Sequence, residues 1–120
     1  MANIYHLHLC KKDLRGAKIA FVPGDPDRSR IIVQSFDKKG VELARKREYC
    51  TWLGRLDGHP VIATSTGIGG GSTSIAIEEL AMLGITTFIR IGTTGGIQKK
   101  IGLGDALIAI WCIVRYWKWD

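Results

Sequence analysis

Cysteine is scarce and poorly placed for covalent stapling: the chain holds only Cys10, Cys50 and Cys112. An odd number at wide spacing, with no C-x-x-C pair, argues against a disulfide framework and a structural zinc site, and a reduced cytoplasmic setting is the expectation. Long apolar runs are also missing. The longest candidate, Ala106 to Val114, falls short of the roughly 20 residues that span a bilayer, so no membrane association is expected. The first residues, MANIYHLHL, lack the charged start and extended apolar core of a secretion signal. Neither an internal repeat nor a low-complexity segment occurs. Basic residues form no long run and no regular interleave with aromatics, so nucleic acid is not the expected partner. The excess of 17 Lys and Arg over 11 Asp and Glu, a formal +6, reads as a solvated surface for most of those charges.

What is present describes one small globular domain. The 120 residues are 46% hydrophobic and 23% charged, enough for a core but short for an enzyme with a deep substrate cleft. Lys18 to Val22 predicts a strand, ended by Pro23 and Gly24. Asp25 and Pro26 then open a helix carrying Ile31, Ile32, Ser35 and Phe36 on one side and stopping near Gly40. Tyr49 to Leu56 and Pro60 to Ser65 flank Asp57-Gly58-His59 and predict an antiparallel hairpin with a three-residue loop. Ser72 to Gly84 predicts the clearest helix, capped by Ser72 or Thr73 and closed by Gly84. Thr86 to Ile91 predicts a strand, and Ala106 to Val114 another after the Gly104-Asp105 turn. Alternation of this kind implies a mixed α/β sheet flanked by helices.

Three strand-like runs empty into turns of glycine, hydroxyls and arginine: Ala20 to Arg28, Val61 to Ser74 and Phe88 to Gly96. Glycine lets the main chain approach a ligand, and arginine adds donors in a fixed fork, so phosphate is the first ligand to consider. Ligands of open α/β sheets sit outside the carboxyl ends of strands, where all three turns are expected to converge. Gly24 and the helix start offer N–H groups, Arg28 and Arg90 offer guanidiniums, and Thr93 or Thr94 offers a hydroxyl. Arg90 interrupts an apolar strand, which requires either a structural ion pair or an anion ligand.

At these residues the sequence resembles the nucleoside phosphorylases, specifically the bacterial uridine phosphorylases. VPGDPDR, REYCTW (Arg47 to Trp52), TSTGIGGGSTSIAIEELAMLGI (Thr64 to Ile85) and FIRIGTTGGIQ (Phe88 to Gln98) match that pattern in order. The likeness runs from His6 to about Ala109. It implies reversible phosphorolysis of uridine to uracil and ribose 1-phosphate, with inorganic phosphate as co-substrate and no other cofactor. By the same resemblance Gly24, Arg28, Arg90 and Thr93 bind phosphate, Arg47 reaches the phosphate of a neighbouring subunit, and His6 reaches its ribose. Glu48, Ile68 and Ser72 match positions that hold a monovalent cation between subunits in some members, and a homo-oligomer is implied. Purine nucleoside phosphorylases share the GDP turn and the glycine-rich centre but look less similar around Thr93-Thr94 and REYCTW.

Departures from the family are as informative. Members run to about twice this length, and the further half would bring the uracil-binding glutamine and arginine and the glutamate that holds the ribose hydroxyls; no counterpart to these occurs here. Residues 1–120 are therefore expected to form the N-terminal part of a single, incomplete nucleoside phosphorylase domain, with impaired activity and no assignable catalytic residue. Gly71 stands where the family usually has proline. Residues 110–120, with Trp111, Trp117 and Trp119, form an atypical tail that is either an amphipathic strand or the product of a frameshift. A non-catalytic module that binds anions or nucleic acid is the alternative from another class.

Overall fold

A computed structural model describes residues 4–109. Its elements run β1 (Ile19–Phe21), α1 (Pro26–Phe36), β2 (Val41–Lys46), β3 (Tyr49–Leu56), β4 (His59–Thr64), α2 (Gly70–Met82) and β5 (Thr87–Ile89). The five strands make one sheet in the order β2-β3-β4-β1-β5. β1 runs parallel to both β4 and β5, whereas β2, β3 and β4 form an antiparallel meander. The expected mixed α/β sheet flanked by helices is the observed architecture.

The two helices cover opposite faces, as the alternation of strand side chains dictates. On one face Leu53 and Ile62 of the sheet pack with Ala76 and Leu80 of α2 and with Leu7, Leu9 and Leu14 of the N-terminal segment. On the other, α1 lies on β3 and β4. There it seats Val33 together with Phe36 of the expected face: Val33 is fully buried, the Phe36 ring centroid lies 6.3 Å from that of Phe21, and Ile31 is 61% exposed. Gly54 explains the choice. A Cβ on Gly54 would lie 2.7 Å from Val33 Cγ1, so the missing side chain is the socket that takes the valine.

Several boundaries differ from the sequence expectation. α1 ends at Phe36, short of Gly40, because Asp37 engages the following turn: its carboxylate accepts from the Lys39 and Arg55 amides at 2.9 and 2.8 Å. Those two backbone bonds hold the Asp37 carboxyl below its ordinary value. The β3–β4 loop has two residues, not three. Asp57 (φ +49°) and Gly58 (φ +81°) are both left-handed, which matches strand twist and lets Leu56 pair with His59. β2 was not expected at all, since its charged sequence VELARK lacks a clean apolar alternation.

The cap of α2 is Gly69, not Ser72 or Thr73, and Ser72 instead turns its hydroxyl back to the Gly69 carbonyl at 3.1 Å. Its other end closes as expected. Gly84 (φ +101°) donates to Ala81 O and Ile85 donates to Leu80 O, the paired bonds of a Schellman stop. β5 stops at Ile89, which places Arg90 just beyond the strand rather than within it. No strand forms over residues 106–109, and residues 110–114 of that expected strand lie outside the described residues. The tail with Trp111, Trp117, Trp119 and Cys112 lies there too. Among the described residues, no helix is long and apolar enough to cross a membrane.

Candidate functional site

Because β1, β4 and β5 run parallel, their carboxyl ends open on one edge of the sheet. Backbone bonds tie the chain together there: Val22 N donates to Ile89 O and Thr66 N to Pro23 O, both at 2.9 Å. Gly24 sits where the three segments meet. A Cβ at that position would lie 3.3 Å from both Arg90 Nη2 and Gly67 O, and 3.6 Å from Ile68 Cγ2. The absent side chain is what lets guanidinium and backbone approach so closely.

Arg90 is aimed by buried oxygens. Its Nη1 donates to the Thr66 hydroxyl at 2.9 Å and to Val22 O at 3.3 Å, and Thr66 is fully buried. One nitrogen of the fork is thus fixed by the protein while Nη2 remains beside Gly24. The other arginine stands on the helix that follows. Asp25 caps α1 by accepting from the Asp27 amide at 2.9 Å, which starts the helix at Pro26 and places Arg28 in its first turn. Among the described residues the Arg28 guanidinium has no hydrogen bond or ion pair. Arg28 and Arg90 bring positive charge to this edge, while the α1 N-terminus itself carries the carboxylates of Asp25 and Asp27.

Thr93 shares a cavity with Arg90. The segment after Arg90 is exposed throughout residues 91–100, and Thr93 lines an open cavity of about 800 Å³ together with Arg90 and residues 101–107. The structure thus gathers Gly24, Arg90 and the glycine-rich Gly67–Ile68 turn, sets Arg28 in the adjacent helix turn, and places Thr93 in a cavity that Arg90 also lines.

Glu48 and Ser72 meet at another glycine. A Cβ on Gly67 would lie 3.1 Å from both Glu48 Cγ and Ser72 Oγ, so the left-handed Gly67 (φ +68°) opens a small cradle lined by the Glu48 methylenes and the Ser72 hydroxyl. Ile68, the third residue expected there, follows directly with its side chain 98% exposed. Tyr49 closes the base by donating from its hydroxyl to Ser72 O at 3.0 Å. Burial, with the negative charges of Glu48 and Glu79, pushes the Tyr49 phenol up. Arg47 occupies the tight β2–β3 turn at φ +56°, where its side chain is exposed.

His6 is held from an unexpected quarter. Its Nδ1 lies 2.6 Å from Glu79 Oε1, and Glu79 also accepts from the His6 and Leu7 amides at 3.2 and 2.9 Å. Burial raises the Glu79 carboxyl, but these bonds together outweigh it and hold the group below its ordinary value. Glu79 and Thr66 are the residues that sequence reasoning missed. A signal existed for each: an acid within the apolar run IAIEELAM, and a third hydroxyl in the TST run before Gly67.

The uridine phosphorylase of Escherichia coli (strain K12) is 60% identical over 107 residues, and that of Haemophilus influenzae 53% identical over 108. These alignments cover 89% and 90% of this chain but 42% of each relative, so the chain spans about two fifths of the length of the curated relatives it matches. The guanosine phosphorylase of Halorubrum lacusprofundi is 38% identical over 109 residues, covering 91% of this chain and 44% of the relative. The profile of the phosphorylase superfamily matches residues 18–115, a span that contains all three glycine-rich turns, and the chain belongs to that superfamily.

Proposed function

We propose that this chain carries the phosphate-binding part of a uridine phosphorylase, an enzyme that phosphorolyses uridine reversibly to uracil and ribose 1-phosphate. The observation that supports it best is the meeting of Gly24, the Gly67 turn and the aimed Arg90 fork at one edge of the parallel strands. Gly24, Arg28, Arg90 and Thr93 are the proposed phosphate ligands. Guanidiniums hold the dianion in line with the anomeric carbon, where its oxygen forms the new C–O bond as the C–N bond to uracil breaks. The held dianion also stabilises the positive charge that develops on the ribose.

His6 and Arg47 are proposed to act on the ribose and phosphate of a neighbouring subunit, which requires a homo-oligomer. The cradle at Gly67 fits a hard monovalent cation, held by Glu48, the Ile68 carbonyl and Ser72. Bound there, the ion would supply one positive charge shared between neighbouring subunits. Free Cys10 and Cys50 agree with a cytoplasmic setting. Uridine is preferred over purine nucleosides because the two uridine phosphorylases are 60% and 53% identical to this chain against 38% for the guanosine phosphorylase.

Phosphate titration by calorimetry tests the reading. The chain is expected to bind phosphate, and the double variant Arg28→Ala, Arg90→Ala to lose that binding. Equal binding by both proteins refutes the site. Uridine turnover by the 120-residue chain is expected to be negligible beside that of the Escherichia coli relative. Salt-sensitive RNA binding that phosphate does not compete away would favour a non-catalytic module instead.

A further inference from the structure

The contacts of Glu79 exceed what is needed to fasten the N-terminal segment. Two of them, to the His6 and Leu7 amides, staple the backbone to α2. The third, at 2.6 Å, is to the His6 ring. An ionised carboxylate only accepts, so the hydrogen of this contact belongs to Nδ1 and the neutral ring is left with a bare, hydrogen-bond-accepting Nε2. That is the opposite tautomer from the one that predominates for histidine free in water.

Further contacts fix the ring's surroundings. Tyr5 meets the imidazole edge-on, with centroids 4.9 Å apart and planes at 89°. Lys46 in turn holds Tyr5, its Nζ donating to Tyr5 O at 2.8 Å and lying 4.3 Å from the ring centroid. Glu79 is 13% exposed and His6 33% exposed, so the fastening is largely shielded while the imidazole still reaches solvent. Among the described residues, Nε2 has no partner.

We propose that Glu79 is a positioning residue that locks His6 in its Nδ1–H tautomer and so presents Nε2 as an acceptor for a ribose hydroxyl. The role rests on the reading of His6 given above. An accepting nitrogen favours a sugar that bears a hydroxyl there over the deoxy analogue, because only the former can donate to it.

Long-range proton–nitrogen NMR of the imidazoles, recorded at alkaline pH, tests this without any substrate. His6 in the wild-type chain is expected to show a protonated Nδ1 and a bare Nε2. Glu79→Ala is expected to return His6 to the free-histidine mixture, with His8 and His59 unmoved as internal references. Glu79→Gln keeps one accepting oxygen and is expected to retain the tautomer. A wild-type His6 that is protonated at Nε2, or a tautomer unchanged in Glu79→Ala, overturns the proposal. The wild-type measurement decides even if the alanine variant fails to fold. Loss of the phosphate reading is seen separately, in the calorimetric titration.

Discussion

Two of the glycine-rich turns at the sheet edge are built very differently from the third. The turns after β1 and β4 are braced from beneath by buried groups: Thr64, Ser65 and Thr66 are all fully buried. Ser65 bridges the Cys50 amide and the Glu48 carbonyl, and Thr66 bonds across to Pro23. The turn after β5 has one such brace, Arg90. Beyond it Ile97, Leu103 and Ile108 are 90% exposed or more. Motifs of similar composition therefore differ in rigidity according to what lies under them. Hydroxyls satisfied in a dry interior fix a turn, while glycine and threonine in water do not.

The contrast is broken most forcefully by truncating a side chain on each side of it. Leu80 is fully buried in the core, so Leu80→Ala should cost about 3 kcal/mol in urea denaturation. Ile97→Ala should change stability by less than about 0.5 kcal/mol. Equal effects would show that the segment after Arg90 is packed in solution. Binding comes next. Arg90→Ala should weaken phosphate binding about 10- to 100-fold, the range for losing a charge-assisted contact, whereas Thr93→Ala should weaken it only about two- to fivefold. A Thr93 effect as large as that of Arg90 would mean that the ligand orders the third turn.

Smaller effects probe the braces themselves. Asp25→Ala removes the α1 cap and should lower stability by about 1 kcal/mol, with a small loss of phosphate affinity because Arg28 stands in that first turn. The smallest expected signal is at acid pH. The Glu79 carboxyl is held below its ordinary 4.5, so its contribution is complete above that value and declines as pH falls through the lowered one. The urea midpoint of the wild type should therefore fall more steeply below about pH 4.5 than that of Glu79→Gln. Parallel acid limbs would remove Glu79 from the account of the N-terminal staple.

Local chemistry was legible wherever it acts over a few residues. Asp25 followed by Pro26, the Asp57-Gly58 pair and Gly84 each carry their geometry within a turn, and each marks a real boundary. The β2 strand was not legible, because its order comes from pairing with β3 and its own side chains are largely exposed. The buried face of α1 was only partly legible for a similar reason: Val33 is chosen by Gly54, a residue on another element. At the site, Gly24, Arg28 and Arg90 stood out by residue type. Thr66 and Glu79 did not, since a threonine in a TST run and an acid in a helix acquire meaning only through partners 24 and 73 residues away.

By itself the sequence determined the family, the alternation of strands and helices, and which residue types are equipped to hold an anion, because these follow from motif order and local backbone preference. Tertiary structure alone decided which of those residues meet. Parallel pairing of β1 with β4 and β5 brings Gly24, Gly67 and Arg90 within van der Waals reach, and packing of the N-terminal segment on α2 gives His6 its carboxylate. Contacts between distant segments depend on register and burial, and neither is written in any single stretch of the chain.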